Sequence, residues 1–388
     1  MDPSRLNLRH LRAVAAVIDA GSVSAAARAV NLTQPAVTQA ISKLEAQLGV
    51  RLFDRCPDGM KPTEAGWVLN RRSAVAFNLV GSSRVTSPQM RAFVALARHG
   101  SYTTAAAAMD MREPSLHRAV AELSLVVGQK LVERRGRSVA LTRRGLATAR
   151  AFRLAEAELR SALSELEGLR GREVGRIVIG AMPLCRAQLL PNAIGEFHRL
   201  YPDVDIAVVE GSHTELVGPL RDGEIDLMIG ALRDELSADL AQQPLFIDRP
   251  VVLARAHHPL ARARRLPTVQ ELAAYPWILP PRPAPLRRQW EQIFADCGLS
   301  WPRVAIECGS VIVIRQLLMR EDYLTVLSPA QVAVELEAGW LERICAPPGE
   351  IKRTIALTQR TDWRPSQVQQ RFIDVVQDQA KRLTPNKA

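Results

Sequence analysis

Apolar residues recur at helical spacing through the first fifty positions and predict three short helices in succession. The inward face of the first helix is formed by Leu8, Leu11, Val14, Val17 and Ile18. Gly21 ends this helix, and Ser22 caps a second, small-sided helix over residues 24–30. Thr33 then caps a third helix over residues 34–48. The pattern is that of a helix-turn-helix unit.

The third helix carries apolar and polar side chains on opposite faces. Its inward positions are Val37, Ile41, Leu44 and Leu48, and its outward, uncharged positions are Thr33, Gln34, Thr38, Gln39 and Ser42. Pro35 suits the first turn, because its missing N–H has no intrahelical partner there. Glutamine makes a bidentate contact with adenine, so this face is suited to the major groove of DNA. The alternative is an ordinary solvated helix face.

A hairpin is predicted after the third helix, with strands over residues 50–55 and 61–63 joined by a tight turn. Such a hairpin beside a helix-turn-helix forms a wing. Arg51, Arg55 and Lys61 are placed on it to hold the DNA backbone, a contact that sets register without reading sequence.

The same pattern returns 79 residues later without a gap. The matched positions are Leu11-Arg12-Ala13-Val14 with Met90-Arg91-Ala92-Phe93, Gly21-Ser22 with Gly100-Ser101, Pro35 with Pro114, Gly49 with Gly128, Arg55 with Arg134, Thr63 with Thr142, and Gly66 with Gly145. Self-similarity at a fixed period indicates duplicated structural units, so we expect two winged helix-turn-helix domains.

The outward face of the second copy differs from that of the first. Arg112-Glu113 replaces Thr33-Gln34, and His117-Arg118 replaces Thr38-Gln39. Glutamate accepts from cytosine and arginine binds guanine, but a carboxylate beside phosphate is unfavourable. Arg135 and Arg137 make the second wing more basic than the first. Two roles stay open for this copy: contact with DNA, or a purely spacing or dimer-packing function.

A long connecting helix is predicted over residues 149–171, with apolar residues at alternating spacings of three and four. These residues are Phe152, Ala155, Leu159, Ala162, Leu166 and Leu169, and we call them the seam. Glu158 and Glu165 lie outside it. An isolated helix would expose the seam, so we expect a helix from a second chain to cover it. The alternative is that the seam packs against the chain's own body.

The C-terminal half alternates short apolar strands with helices, which predicts parallel sheet and an α/β fold. Strands are predicted at residues 177–180, 204–210, 225–230, 251–254, 277–279, 323–327 and 355–358, and helices at residues 189–200, 216–221, 286–297, 310–319 and 366–380. Two such lobes joined by crossing strands form a cleft like that of periplasmic solute-binding proteins.

Ligands of open α/β sheets bind where strands end and helix N-termini offer free N–H groups. The candidate ligand-binding residues at such positions are Pro183, Leu184, Cys185, Ser212, His213, Ser310 and Val311. For each serine the alternative role is helix capping, and for His213 it is an ordinary position in a surface loop.

Charge is distributed unevenly along the chain. Residues 1–150 hold 22 Lys+Arg against 10 Asp+Glu, whereas residues 151–388 hold 29 against 30. The whole basic excess therefore lies in the duplicated segment, as expected of a nucleic-acid-binding surface.

Several function classes are not supported by the sequence. Residues 1–5 begin without the apolar region of a signal peptide and no long apolar stretch follows, so we expect a cytoplasmic protein without membrane contact. Five scattered cysteines predict neither a disulfide framework nor a zinc site. Cys297 and Cys308 are a candidate redox pair, with simple buried thiols as the alternative. His257-His258 lacks metal-ligand spacing, and the common catalytic motifs are missing, which favours a non-enzyme without a cofactor.

The first copy resembles the DNA-binding signature of LysR-type transcriptional regulators. The resemblance is carried by Ala26-Ala27, Gln34-Pro35-Ala36-Val37-Thr38, Leu44-Glu45, Leu48-Gly49 and Leu52-Phe53-Asp54-Arg55. It implies that Gln34, Pro35, Thr38 and Gln39 face the groove and that Arg55 is the wing contact. In that family the connecting helix makes a dimer.

The C-terminal half resembles the inducer-binding domain of the same family. The matching segments are Gly175 to Gly180, Leu190-Pro191, Tyr201 to Val204 and Gly223 to Leu227. Met182 to Leu184, Glu210 to His213 and Tyr275 to Trp277 look most like the branch typified by regulators of a galactose-binding protein.

The resemblance gives a domain plan and a set of partners. The plan places winged helix-turn-helix domains at 6–66 and 87–148, the connecting helix at 149–171 and an inducer domain at 174–380, with lobes 174–249 plus 346–380 and 250–345. The partners expected are double-stranded DNA, a small inducer such as a sugar, sugar acid or aromatic acid, RNA polymerase if the protein activates, and further copies in a homodimer or homotetramer. The alternative is a solute-binding or scaffolding protein that has lost DNA reading.

Overall fold

The computed structural model describes residues 3–56, 59–135, 138–263, 265–282, 284–349 and 351–383. The first winged helix-turn-helix domain, head 1, consists of α1 (Leu8–Ala20), α2 (Val23–Ala29), α3 (Gln34–Leu48), β1 (Phe53–Cys56), β2 (Gly59–Pro62) and α4 (Glu64–Val80). Head 2 consists of α5 (Ser87–His99), α6 (Tyr102–Ala108), α7 (Glu113–Val127), β3 (Val132–Arg135), β4 (Ser138–Leu141) and α8 (Arg143–Gly168). The duplication predicted from the sequence is thus present as two domains with the same order of elements.

The heads agree in backbone detail as well as in element order. The turn between the second and third helices contains a residue in the left-handed conformation in each head, Asn31 (φ 54°) and Asp110 (φ 52°). Gly66 and Gly145 begin the helices after the wings, where a side-chain Cβ would collide with the carbonyl oxygens of Leu52 and Leu131. Only glycine permits this close approach between helix and wing.

The expectation that a second chain covers the seam of α8 is wrong. Helix α4 of head 1 packs along α8 within the same chain. The buried seam residues, each at most 3% exposed, are Phe152, Ala155, Leu159, Ala162 and Leu166, and α4 contributes Val68, Leu69, Ala76 and Val80 to the same core. Leu169 lies beyond the last turn and stays 43% exposed. The apolar stripe does require a partner, and the duplication supplies it from within the chain.

The C-terminal half alternates strands and helices, as predicted. Its elements are β5 (Gly175–Ala181), α9 (Leu189–Leu200), β6 (Val204–Glu210), α10 (His213–Arg221), β7 (Leu227–Ala231), β8 (Leu240–Asp248), β9 (Val251–Arg255), α11 (Pro259–Arg262), α12 (Val269–Ala273), β10 (Trp277–Leu279), α13 (Pro285–Asp296), β11 (Val304–Glu307), α14 (Val311–Leu318), β12 (Thr325–Leu327), α15 (Ala333–Glu337), β13 (Leu341–Cys345), β14 (Arg353–Arg360) and α16 (Gln367–Leu383). The α/β fold class is confirmed.

The two lobes are built on separate sheets. Lobe 1 has the strand order β6-β5-β7-β14-β8, in which β5 pairs in parallel with β6 and β7, while β14 runs antiparallel to β7 and β8. Lobe 2 contains the antiparallel sheet β12-β9-β13 and the parallel pair β10-β11. The parallel sheet expected from the sequence therefore holds for only part of each lobe, and β8, β11 and β13 were not predicted.

Candidate nucleic-acid interface and interlobe cleft

Head 1 presents the predicted groove-facing residues to solvent. Thr33 caps α3 by accepting from the backbone N–H of Ala36 at 3.4 Å, and the exposed outward residues are Thr33, Gln34, Pro35, Thr38 and Gln39. Gln34 donates its amide to the hydroxyl of Ser24 on α2, which fixes its orientation. Val37 is fully buried and anchors the opposite face. The helix therefore offers a rigid, uncharged row of hydrogen-bonding groups.

The wings are described only in part. Arg51 and Lys61 are exposed, as the predicted backbone contacts require. The backbone of Arg55 pairs with Met60 in the hairpin of head 1, while its side chain lies outside the described residues. The same holds for the side chain of Arg135, and Arg137 lies outside the described residues entirely.

Head 2 carries a charged network on the equivalent face. Glu113 accepts from the hydroxyl of Thr103 at 2.9 Å, which repeats the bond between Gln34 and Ser24 at the equivalent positions. His117 lies one turn further on, with Nε2 at 3.7 Å from the Glu113 carboxylate.

The imidazole of this network also stacks on an aromatic ring. The ring centroids of His117 and Tyr102 are 3.5 Å apart. Arg118 is exposed next to this pair. The α7 face thus holds a positioned carboxylate and an arginine where the α3 face holds amides and a hydroxyl.

The loops at the strand ends of lobe 1 meet lobe 2 across the cleft. Gln331, which follows β12, donates its side-chain amide to the carbonyl oxygen of Pro183 at 3.3 Å. Leu184 is half-buried beside it. The prediction that Cys185 contacts a ligand does not fit its position, because it is fully buried in the lobe 1 core. Its thiol donates to the carbonyl of Met182 at 3.2 Å, and burial raises its pKa to about 12.

The start of α10 combines a serine in a capping box with a partly buried histidine. Ser212 and Glu215 form a capping box, in which the Ser212 hydroxyl and N–H both donate to the Glu215 carboxylate at 2.7 Å. This is the capping role considered as the alternative for Ser212. His213 Nε2 and the neighbouring Arg233 Nε are buried without a hydrogen-bond partner among the described residues. Burial and then the positive charges of Arg233 and Arg221 lower the pKa of His213.

Lobe 2 offers a second helix N-terminus at its exposed surface. Ser310 precedes α14 and is exposed, and its side chain does not cap the helix. Val311 is half-buried in the first turn. The first N–H groups of α14 are therefore without a side-chain cap from Ser310, as expected of a position that receives a ligand acceptor.

Helix α8 is joined to the C-terminal half by ion pairs at the other end of α10. Arg153 pairs with Asp222, the residue that follows α10, and with Glu224 at 3.5 Å. Arg150 donates to Asp239 at 3.1 Å and to the carbonyl of Arg221 at 3.2 Å. One end of α10 thus lies at the strand-end edge of lobe 1, and the other is held by the helix that supports head 2.

A buried arginine that the sequence reasoning missed joins three parts of the chain. Arg72 of α4 is 8% exposed and pairs with Glu158 at 2.9 Å and with Glu165, both on α8. It also donates to the carbonyl oxygen of Arg364 at 2.9 Å, before α16. The two glutamates outside the seam were visible in the sequence, but nothing there indicated their partner.

Within the described ranges, no group of three or more His, Cys, Asp or Glu side chains is arranged to hold a metal ion. His258 is fully buried and its Nδ1 accepts from the N–H of Leu260 at 3.1 Å, a capping role. Nor does any helix in that part of the chain have the length and apolar character needed to cross a membrane.

Comparisons with known proteins match two family models along the chain. The family described as bacterial regulatory helix-turn-helix protein, lysR family, matches twice, at residues 8–67 and 88–146. The LysR substrate binding domain matches residues 170–381. Both heads and both lobes are therefore covered by family models.

Individual relatives and structures agree with these matches. The HTH-type transcriptional regulator GalR of Pseudomonas putida is 33% identical over 370 residues, covering 92% of each chain. The regulator GbpR of Rhizobium radiobacter is 32% identical over 253 residues, 64% of this chain and 83% of that one. ArgP from Mycobacterium tuberculosis shares the fold with a TM-score of 0.60 at 19% identity, over 76% of this chain and 98% of that chain.

Proposed function

This chain belongs to the LysR family of DNA-binding transcriptional regulators, and we propose that α3 of head 1 reads its operator in the major groove through Thr38 and Gln39. The observation that supports this is the exposed, uncharged outward face of α3, held by Thr33 and by the bond between Gln34 and Ser24. Gln39 is free to make a bidentate contact with adenine N6 and N7. The flanking cations Arg51 and Lys61 supply backbone contacts that set the register.

Replacing Gln39 with alanine is expected to weaken operator binding roughly tenfold to a hundredfold, because one bidentate base contact is lost. The operator is first located by footprinting, and affinity is then measured by fluorescence anisotropy at fixed salt. Gln289→Ala, at an exposed position on α13 of lobe 2, is the matched control and is expected to leave affinity unchanged. If the Gln39→Ala and Gln289→Ala proteins bind every sequence variant of the operator with equal affinity, Gln39 does not contact the bases.

A small molecule bound between the two lobes controls the regulator, and we propose that it is an acid, such as a sugar acid or an aromatic acid. Support comes from His213 and Arg233, whose buried nitrogens lack partners among the described residues at the strand-end edge of lobe 1. Buried unsatisfied donors are unfavourable, and an anionic acceptor relieves them. In lobe 2, the first N–H groups of α14 likewise receive no side-chain cap from Ser310, and the positive end of the helix dipole favours an anion there.

Helix α10 is the proposed route from this cleft to the heads. Its first residue, His213, lies at the strand-end edge of lobe 1 that we assign to the cleft, and Asp222, which follows its last residue, is paired with Arg153 of α8. A ligand that binds one lobe arrangement better than the other shifts the population toward it. Movement of α10 then changes how α8 is held, and so changes how the heads meet DNA and RNA polymerase.

Substituting Arg233 tests the chemistry of the ligand. Thermal unfolding of the full chain is measured in the presence of sugars, sugar acids or aromatic acids. Only the acids are expected to raise the midpoint temperature of unfolding. In Arg233→Ala that rise is expected to be largely lost, since one donor to the anion is gone. Arg288→Ala, an exposed cation on α13, should retain it. A neutral sugar that raises the midpoint equally in the native chain and in Arg233→Ala would contradict the proposal.

A further inference from the structure

Equivalent residues of the two heads touch each other. Leu8 and Ser87 are separated by the repeat length of 79, and the N–H of Leu8 donates to the hydroxyl of Ser87 at 3.0 Å. In a two-fold symmetric interface, a residue that contacts its own counterpart lies on the axis. Leu6 and its equivalent Val85 flank this point, and each is 1% exposed. The heads are therefore related as two subunits of a symmetric dimer are related.

Other contacts between the heads also occur in equivalent pairs, in which each segment meets the other head as its counterpart does. Helices α4 and α8, which are equivalent in the repeat, pack against each other. Residues 3–5 of head 1 lie against α5 of head 2, and the equivalent segment 82–84 lies against α1. There, Arg12 donates to the carbonyl oxygens of Ser82 and Ser83 at 2.9 and 2.6 Å. Such exchange of contacts is the property of an isologous interface.

We propose that a single chain reads two inverted half-sites of different sequence, one through α3 and the other through α7. This rests on the proposed function of head 1 and extends it to head 2. The pairing leaves the outward face of α7 free, since Glu113, His117 and Arg118 are all exposed. A pair of heads related by a two-fold axis contacts half-sites about one helical turn of DNA apart.

The chemistry of the α7 face defines what the second half-site contains. Glu113 accepts from cytosine N4, and Arg118 donates to guanine O6 and N7, so this half-site is expected to be richer in G·C pairs than the first. The Thr103 hydroxyl donates to the Glu113 carboxylate and His117 lies 3.7 Å from it, so this carboxylate is held in place on the α7 face. The operator is thus inverted in geometry and unequal in sequence.

The first test measures which half-site each head uses. The full chain is bound to its footprinted operator, to DNA with the second half-site scrambled, and to DNA with the first half-site scrambled. Arg118→Ala is expected to weaken binding to the intact operator about tenfold and to have little effect once the second half-site is scrambled. Arg288→Ala is the charge-matched control. The proposal is overturned if Arg118→Ala behaves like Arg288→Ala, or if scrambling the second half-site leaves native affinity unchanged.

This test separates the two proposals. Failure of head 1 to read DNA appears as insensitivity to Gln39→Ala and to the first half-site. Failure of head 2 to read DNA appears only as insensitivity to Arg118→Ala and to scrambling of the second half-site.

The second test asks whether the pair forms within one chain. Leu8→Cys and Ser87→Cys are combined with Cys56→Ser and Cys297→Ser, which remove the exposed native thiols. Light and ¹⁵N-labelled chains are mixed, oxidised and digested for mass spectrometry. Cross-linked peptides are expected to be wholly light or wholly heavy, and mixed pairs would overturn the proposal. Footprinting of the native chain at known stoichiometry gives a further check. Two protected half-sites are expected for each bound chain, and one protected half-site for each chain would contradict the proposal.

Discussion

Replacing Arg72 with alanine is expected to lower the free energy of unfolding by about 3–5 kcal/mol, whereas Arg71→Ala should change it by less than about 0.5 kcal/mol. The two arginines are neighbours on α4, but Arg71 is exposed and Arg72 is buried. The comparison therefore isolates the effect of burial from that of net charge. Urea unfolding at fixed protein concentration measures both values.

The size of the Arg72 effect follows from what the substitution leaves behind. Burial alone would lower the pKa of Arg72, but hydrogen bonds with Glu165 and Glu158 raise it overall. Without the guanidinium, the two carboxylates face each other across a space from which water is largely excluded, and the carbonyl of Arg364 loses its donor. Removing one partner of a buried ionic network costs more than the network itself contributes.

A double substitution distinguishes the network from simple loss of packing. Arg72→Ala combined with Glu165→Gln should recover part of the lost stability, because one uncompensated charge is removed. If the double variant is destabilised by the full sum of the single effects, the electrostatic explanation fails. A similar loss for Arg71→Ala would mean that burial of Arg72 is not the cause.

The local structure of both heads was predictable because its signals are short-range. Thr33, Gly21 and the apolar spacing of α1 act within a few residues, and the structure confirms the elements they predict. The duplication could be recognised for the same reason, since close-approach glycines such as Gly66 and Gly145 recur at a fixed distance.

Long-range pairing was harder to predict because its signals are not periodic. The antiparallel insertion of β14 between β7 and β8 depends on contacts between segments more than 100 residues apart. The side chain of Cys185 follows a strand end as a ligand residue would, but it turns into the core of lobe 1. Arg72 is a single cation among otherwise uncharged buried residues of α4, and its glutamate partners lie about ninety residues away. Among the candidate ligand-binding residues, the sequence predicted His213 but not Arg233.

Replacing Leu159 with alanine is expected to destabilise the chain by about 3 kcal/mol, because a fully buried side chain leaves a cavity between α4 and α8. Leu146→Ala is the matched control on the same helix. Leu146 is 58% exposed, so its truncation should change stability by less than about 0.5 kcal/mol. Unfolding is measured with urea for both variants.

The dependence on protein concentration decides which chain covers Leu159. The seam predicted a helix from a second chain, and in that case each tenfold rise in concentration would stabilise the native chain by about 1.4 kcal/mol. With α4 of the same chain as the cover, the free energies of unfolding of the native chain and of Leu159→Ala are each expected to be the same at concentrations tenfold apart. A rise of both values with concentration would contradict the intramolecular pair and restore the second chain, because unfolding would then separate two chains. Stability that does not depend on concentration means that one chain holds both heads together, so recognition of two half-sites requires no subunit partner.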